Sequence, residues 1–160
     1  MSRAALRWLC ACVLLLAPIG AAQAVANCSV SATVLAFGSY NVFSATPRDS
    51  TGDIVVSCSL GGLLSLLVSY EINLSTGGSG SFSPRRMSNG ANTLNYNLYT
   101  SSGRTTVWGN GNSGTGTVSD GYLLGLGTTV RHYALYGRVP ALQNARAGSY
   151  LDSITITVDY

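Results

Sequence analysis

The chain has 160 residues, nine of them basic and six acidic, with 19 glycines and four cysteines. Every basic residue is an arginine, and beyond the N-terminal segment they stand singly apart from Arg85-Arg86. That excludes the clustered cationic face on which nucleic-acid binding by counterion release depends.

The N-terminus is a targeting segment. Ser2 to Arg7 carries two arginines and no acid, Trp8 to Gly20 is almost uninterruptedly apolar, and Ala22-Gln23-Ala24 offers the small-x-small pattern of a signal-peptidase site. The apolar run falls short of the ~20 residues a spanning helix needs, so residues 1–24 read as a signal peptide and no stable membrane insertion is expected. Cleavage is expected after Ala24, with Ala24-Val25-Ala26 as a second acceptable site. Export removes Arg3 and Arg7, which lowers the formal charge from +3 to about +1. It also removes Cys10 and Cys12. Cys28 and Cys58 remain, and an even pair in an oxidising compartment predicts one structural disulfide. A loop of about 30 residues closed in this way is worth roughly 3 kcal/mol. Zinc would need more thiols or histidines, and a redox pair would normally be spaced C-x-x-C.

Residues 25–160 then read as one all-β domain. Residues 28–32 and Val34 to Tyr40 predict a first strand, broken near Thr33, and Asn41 to Thr51 a loop. Gly52 to Ser59 alternates, with Ile54, Val56 and Cys58 on one face, and Leu66 to Leu74 follows as another strand. Ser75 to Ser83, rich in glycine and serine, has no evident reason to order. Thr93 to Thr100 places Leu94, Tyr96 and Leu98 together, and Thr105 to Trp108 reads as a short strand before a glycine-rich loop, Gly109 to Gly121. Arg131 to Val139 aligns Tyr133, Leu135 and Gly137. Ser153 to Tyr160 sets Ile154, Ile156, Val158 and Tyr160 against Ser153, Thr155, Thr157 and Asp159. About seven short strands and one disulfide predict an immunoglobulin-like β-sandwich. Its core or groove should hold Trp108, Tyr96, Leu98, Tyr133, Leu135, Ile154, Ile156 and Val158. The last strand has no later segment to pair its outer edge, which invites association with another chain.

Catalytic chemistry finds little to work with. His132 is the sole histidine, set mid-strand, and no two acids are spaced as a carboxylate pair. Residues 109–114 fit G-x-G-x-x-G, but Thr115-Gly116-Thr117 opens no helix behind them, so the motif is a loop. No enzyme activity, cofactor or metal is expected.

Cys28 with Phe37-Gly38-x-Tyr40, Val55-Val56-Ser57-Cys58, Leu94-Asn95-Tyr96-Asn97-Leu98-Tyr99, Val107-Trp108-Gly109-Asn110-Gly111, Tyr136-Gly137-Arg138-Val139-Pro140-Ala141 and Gly148-Ser149-Tyr150-Leu151-Asp152 resemble, in order, the spore coat protein U domain family. The resemblance implies an immunoglobulin-like domain lacking its last strand. It also implies a structural subunit of an extracellular fibre, the archaic chaperone–usher pilus, that accepts a donor strand and serves attachment or biofilm. Its partners would be a periplasmic chaperone, an outer-membrane usher and neighbouring subunits, and it would pass through the periplasm to the cell surface. Ile154, Ile156, Val158 and Tyr160 would form the acceptor edge. Only Val25, Ala26 and Asn27 would precede Cys28 after cleavage, too few for a donor extension of roughly ten residues. The other reading is a secreted coat or matrix protein that never assembles by strand exchange.

Overall fold

A computed structural model describes residues 26–61 and 65–160, so the signal peptide read at residues 1–24 lies outside the described part. Eight strands carry the fold: β1 (Ala26–Ala32), β2 (Arg48–Leu60), β3 (Leu66–Leu74), β4 (Arg85–Asn89), β5 (Asn92–Tyr99), β6 (Val118–Leu124), β7 (Thr128–Val139) and β8 (Ile156–Asp159). They form a five-stranded sheet in the order β1-β2-β7-β5-β4 and a three-stranded sheet in the order β6-β3-β8. All of these pairings are antiparallel. The two sheets, with one disulfide, make the predicted sandwich, and among the described residues no helix is long and apolar enough to cross a membrane.

The alternation read from the sequence sets the core. Ile54, Val56 and Cys58 of β2 are fully buried against Val68, Tyr70, Ile72 and Leu74 of β3, with Leu94, Tyr96 and Leu98 of β5 alongside. Each such aliphatic side chain contributes roughly 1.5–3 kcal/mol. Cys28 lies directly opposite Cys58 in the β1–β2 register, and the two are joined as a disulfide with their Cα atoms 4.1 Å apart. Trp108 is fully buried. Its indole N–H donates to the Ile72 carbonyl of β3 at 2.9 Å, and its backbone N–H to the Leu98 carbonyl of β5 at 2.9 Å, so one residue is bonded to both sheets.

Several expected elements take different bounds. Residues 105–108 make single bridges, Tyr99↔Val107 and Trp108↔Gly116, and no strand. β2 starts at Arg48, immediately after Pro47, because Arg48 to Thr51 continue the ladder with β7. β4 and β6 were not foreseen, and each puts an ionisable side chain in its inward row: Arg85 is fully buried in β4, and Asp120 is half-buried in β6. Residues 75–83 are ordered, with a short 3-10 turn at Gly77–Ser79 and the Asn97 amide donating to the Phe82 carbonyl at 2.9 Å. Residues 34–40 belong to no strand. β8 is also shorter than the expected 153–160.

Candidate functional site

His132 has an acidic partner that spacing in sequence did not reveal, because adjacent strands supply it. Its Nδ1 lies 2.7 Å from Asp53 Oδ2. The imidazole is 65% exposed on the outer sheet face. No hydroxyl or thiol hydrogen-bonds to the ring among the described residues, and neither cleft described below reaches it. Nor do the described residues include a cluster of three or more His, Cys, Asp or Glu able to hold a metal.

The distinctive feature lies where the two sheets part, beside β8. One bank is the segment from Tyr150 to Asp159. It leaves the large sheet at Leu151, which pairs with Ser88 of β4, and joins the small sheet at Ile156, opposite Leu74 of β3. Ile154, Ile156 and Val158 are half-buried on one face, while Thr155, Thr157 and Asp159 are exposed. Tyr160 lies just beyond β8 and is 64% exposed. Among the described residues no strand pairs with the other edge of β8.

The facing bank is the extended stretch 33–40. Among the described residues, the only backbone partner that stretch finds is the Asp53 carbonyl, bonded by the Thr33 N–H at 2.9 Å. Side chains hold the rest in place: Ser50 Oγ donates to the Ala36 carbonyl and Arg48 Nε to the Phe37 carbonyl, each at 2.7 Å. Tyr40 Oη donates to the Pro140 carbonyl and accepts from the Gln143 N–H. Leu35 and Phe37 seat on Gly137 of β7. A Cβ at that position would come within 2.7 Å of Leu35 Cδ2 and 2.8 Å of Phe37 Cζ, so glycine is what allows the close approach.

Two adjoining clefts of about 330 and 860 Å3 share Val34, Leu35, Phe37, Met87, Tyr150 and Leu151; the smaller runs between the two banks as far as Ile156, and the larger continues between residues 34–43 and 145–151. Leu74, Leu98 and Leu135 line the smaller one, and Leu94 and Val139 the larger. Apolar side chains also crown the rim, with Val34 92% and Leu151 75% exposed. An extended chain laid here would meet open main-chain groups on both sides and apolar surface below.

Asp152 fixes where the β8 bank begins. Its carboxylate accepts from the Gly78 N–H at 2.8 Å, the Ser153 N–H at 2.8 Å and Tyr96 Oη at 2.7 Å, tying that bank to the 3-10 turn and to β5. Burial, and then this carboxylate, push the Tyr96 phenol well above its ordinary range. Nearby, Arg85 donates to the Ser75 and Trp108 carbonyls and to Asn97 Oδ1, with Phe82 stacked 5.2 Å from its guanidinium carbon. Burial lowers the pKa of this guanidinium. Sequence reading missed both residues as organisers of the site. Neither stands in an alternating apolar run, since Pro84 and Arg86 flank the arginine and Leu151 and Ser153 the aspartate, so periodicity gave no signal.

The Spore Coat Protein U domain model matches residues 14–157. The chain belongs to that family. Protein U of Myxococcus xanthus, a relative, is 34% identical over 164 residues, spanning 89% of this chain and 88% of that protein. Among solved structures, the CsuC–CsuE chaperone–tip adhesion subunit pre-assembly complex from archaic chaperone–usher Csu pili of Acinetobacter baumannii is similar, with a TM-score of 0.54. At 22% identity that likeness speaks for the fold of this spore coat protein U domain. It covers 85% of this chain but only 40% of the other.

Proposed function

We propose that this protein is an exported structural subunit of a bacterial surface fibre of the chaperone–usher type, and that the groove beside β8 accepts a β-strand from another chain. The observation that carries this is the pair of open main-chain edges, residues 33–40 and β8, facing each other across an apolar floor. Strand addition supplies ladder hydrogen bonds for affinity and side-chain pockets for register. A periplasmic chaperone would hold the groove first and a neighbouring subunit later, with an outer-membrane usher between them, and the fibre would serve attachment or biofilm. The fold it shares with a chaperone-bound tip subunit supports this reading. The family acts here as a structural module and not as an enzyme.

The test is a synthetic peptide of about ten residues with alternating apolar side chains, added to the secreted protein. At a hundred times its Kd such a ligand adds about 2.7 kcal/mol to stability, a rise on the order of 10 °C in the melting temperature of a domain this size. Ile156→Asp, which sets a charge on the groove face of β8, should abolish the response. No response in the wild-type protein to any such peptide rejects strand acceptance. The second reading, a secreted coat or matrix protein, would then stand, supported by the 34% identity with Protein U over nearly its whole length.

A further inference from the structure

The groove is apolar along most of its length, yet its two clefts differ in charge. Asp152 is the one charged residue lining the smaller cleft, and its carboxylate is already taken by two backbone N–H groups and Tyr96. Beside the larger cleft stand two arginines, Arg146 in its wall and Arg48 behind it. Arg146 is exposed. Arg48 approaches the wall of that cleft from β2: its Nε bonds the Phe37 carbonyl, and its Nη2 would lie 3.2 Å from a Cβ on Gly38.

Among the described residues neither arginine has a carboxylate within 4.0 Å. All six acids are engaged elsewhere: Asp49 with Arg104 and Arg138, Asp53 with His132, Asp120 with Tyr133 and Arg131, Asp152 with Tyr96, Glu71 with Thr117, and Asp159 with Asn73. Arg86 also lacks an acidic partner, but it projects from β4 on the face opposite Met87, away from the groove.

We propose that the strand this groove accepts carries a carboxylate side chain at the end that lies against Arg48 and Arg146. The inference rests on the groove reading above and adds the chemistry of the occupant. Alternating apolar side chains repeat every two residues, so by themselves they leave a donor free to slip by two positions or to enter reversed. A charge at one end removes that freedom, because only one register and one direction bring it to the guanidinium groups.

Three peptides with the same apolar alternation test it: one with glutamate near its N-terminus, one with glutamate near its C-terminus, and one with glutamine at both places. One of the two glutamate peptides should bind about five-fold more tightly than the glutamine peptide at low salt, the scale expected of exposed ion pairs. Added salt should erode the advantage. Arg146→Gln should reduce it with affinity for the glutamine peptide unchanged, and Arg48→Gln/Arg146→Gln should remove it, read as the ratio of glutamate to glutamine peptide affinity within that double variant. Arg146→Gln serves as the separate control because Arg48 also steadies the 33–40 bank. Equal binding by all three peptides overturns this inference and leaves the groove reading intact, and so does a glutamate advantage that survives in the double variant. Binding by none of the three overturns both.

Discussion

The sandwich has two lateral seams, and they are closed by different means. On the β6 side, Tyr70 and Tyr133 share a hydrogen bond at 2.6 Å, Tyr133 Oη donates to Asp120 at 2.6 Å, and Arg131 lies 4.7 Å over the Tyr122 ring. β7, β3 and β6 are thereby joined by side chains that partner one another within the domain, although the buried Tyr122 hydroxyl has no hydrogen-bond partner among the described residues. On the β8 side the sheets diverge, and extended main chain with few internal partners faces an apolar floor. On the β6 side, phenols and a carboxylate fill the space between the sheets. Unpaired strand edges above exposed Val34 and Leu151 invite another chain on the β8 side, because unmet backbone groups and apolar rims are what another strand can satisfy together.

The largest expected effect comes from the residue that is bonded to both sheets. Trp108→Ala removes a fully buried indole and leaves the Ile72 carbonyl without its donor, at a cost of about 3–5 kcal/mol. Melting temperature and peptide capture should fall together. If calorimetry shows the large loss while capture survives at wild-type affinity, the open side does not depend on the tryptophan that joins the sheets.

Gly137→Ala acts on the open side. The added methyl meets Leu35 and Phe37 at under 3 Å, so the 33–40 bank must lift away from β7. The overpacking should cost about 1–3 kcal/mol. Donor-peptide affinity should drop by about ten-fold, since the lifted bank no longer lies level with β8; a ten-fold loss corresponds to about 1.4 kcal/mol. A variant that melts early but binds peptide normally would place the second edge of the acceptor site elsewhere.

Much of this architecture was legible because period-2 alternation and burial coincide in β2, β3, β5 and β7. The bounds of β3 agree from Leu66 to Leu74, and Ile54, Val56 and Cys58 share the face their spacing gives them. β4 and β6 were hidden for one common reason. Each spends an inward position on a charge, Arg85 or Asp120, whose partners come from segments far away in sequence, so hydrophobic periodicity has nothing to detect. The stretch 34–40 misled in the opposite sense. Its apolar residues alternate like a strand, yet its backbone is pinned by Arg48, Ser50 and Tyr40 rather than by a ladder. That departure is half of the candidate site. The other half was foreseen as an alternating strand with an open edge, and Ile154, Ile156 and Val158 lie half-buried along it.

The smallest effect separates the seams by pH. Asp120 is held below the ordinary carboxylate range, first by the hydrogen bond from Tyr133, then by the Gly121 N–H and Arg131, against an opposing push from burial. Asp49, on the outer face, is lowered chiefly by its hydrogen bonds from Arg138 and further by Arg104. A carboxyl whose folded pKa is depressed stabilises the fold above its unfolded value, and that contribution disappears as pH falls toward the lower folded value. For both groups the window therefore opens near 3.8 and extends downward. Asp120 and Asp49 are partly exposed, so solvent and salt keep the effect modest. Thermal melts stepped from pH 5 to pH 2 should fall less steeply in Asp120→Asn than in the wild type, because the variant has no proton to gain at the Tyr133 contact. Asp49→Asn should flatten the same limb independently, since the two sites share no partner. Parallel acid limbs in the wild type and Asp120→Asn would mean that the β6 seam does not owe its closure to an ionised carboxylate. The contrast with the apolar β8 side would then rest on the tyrosines alone.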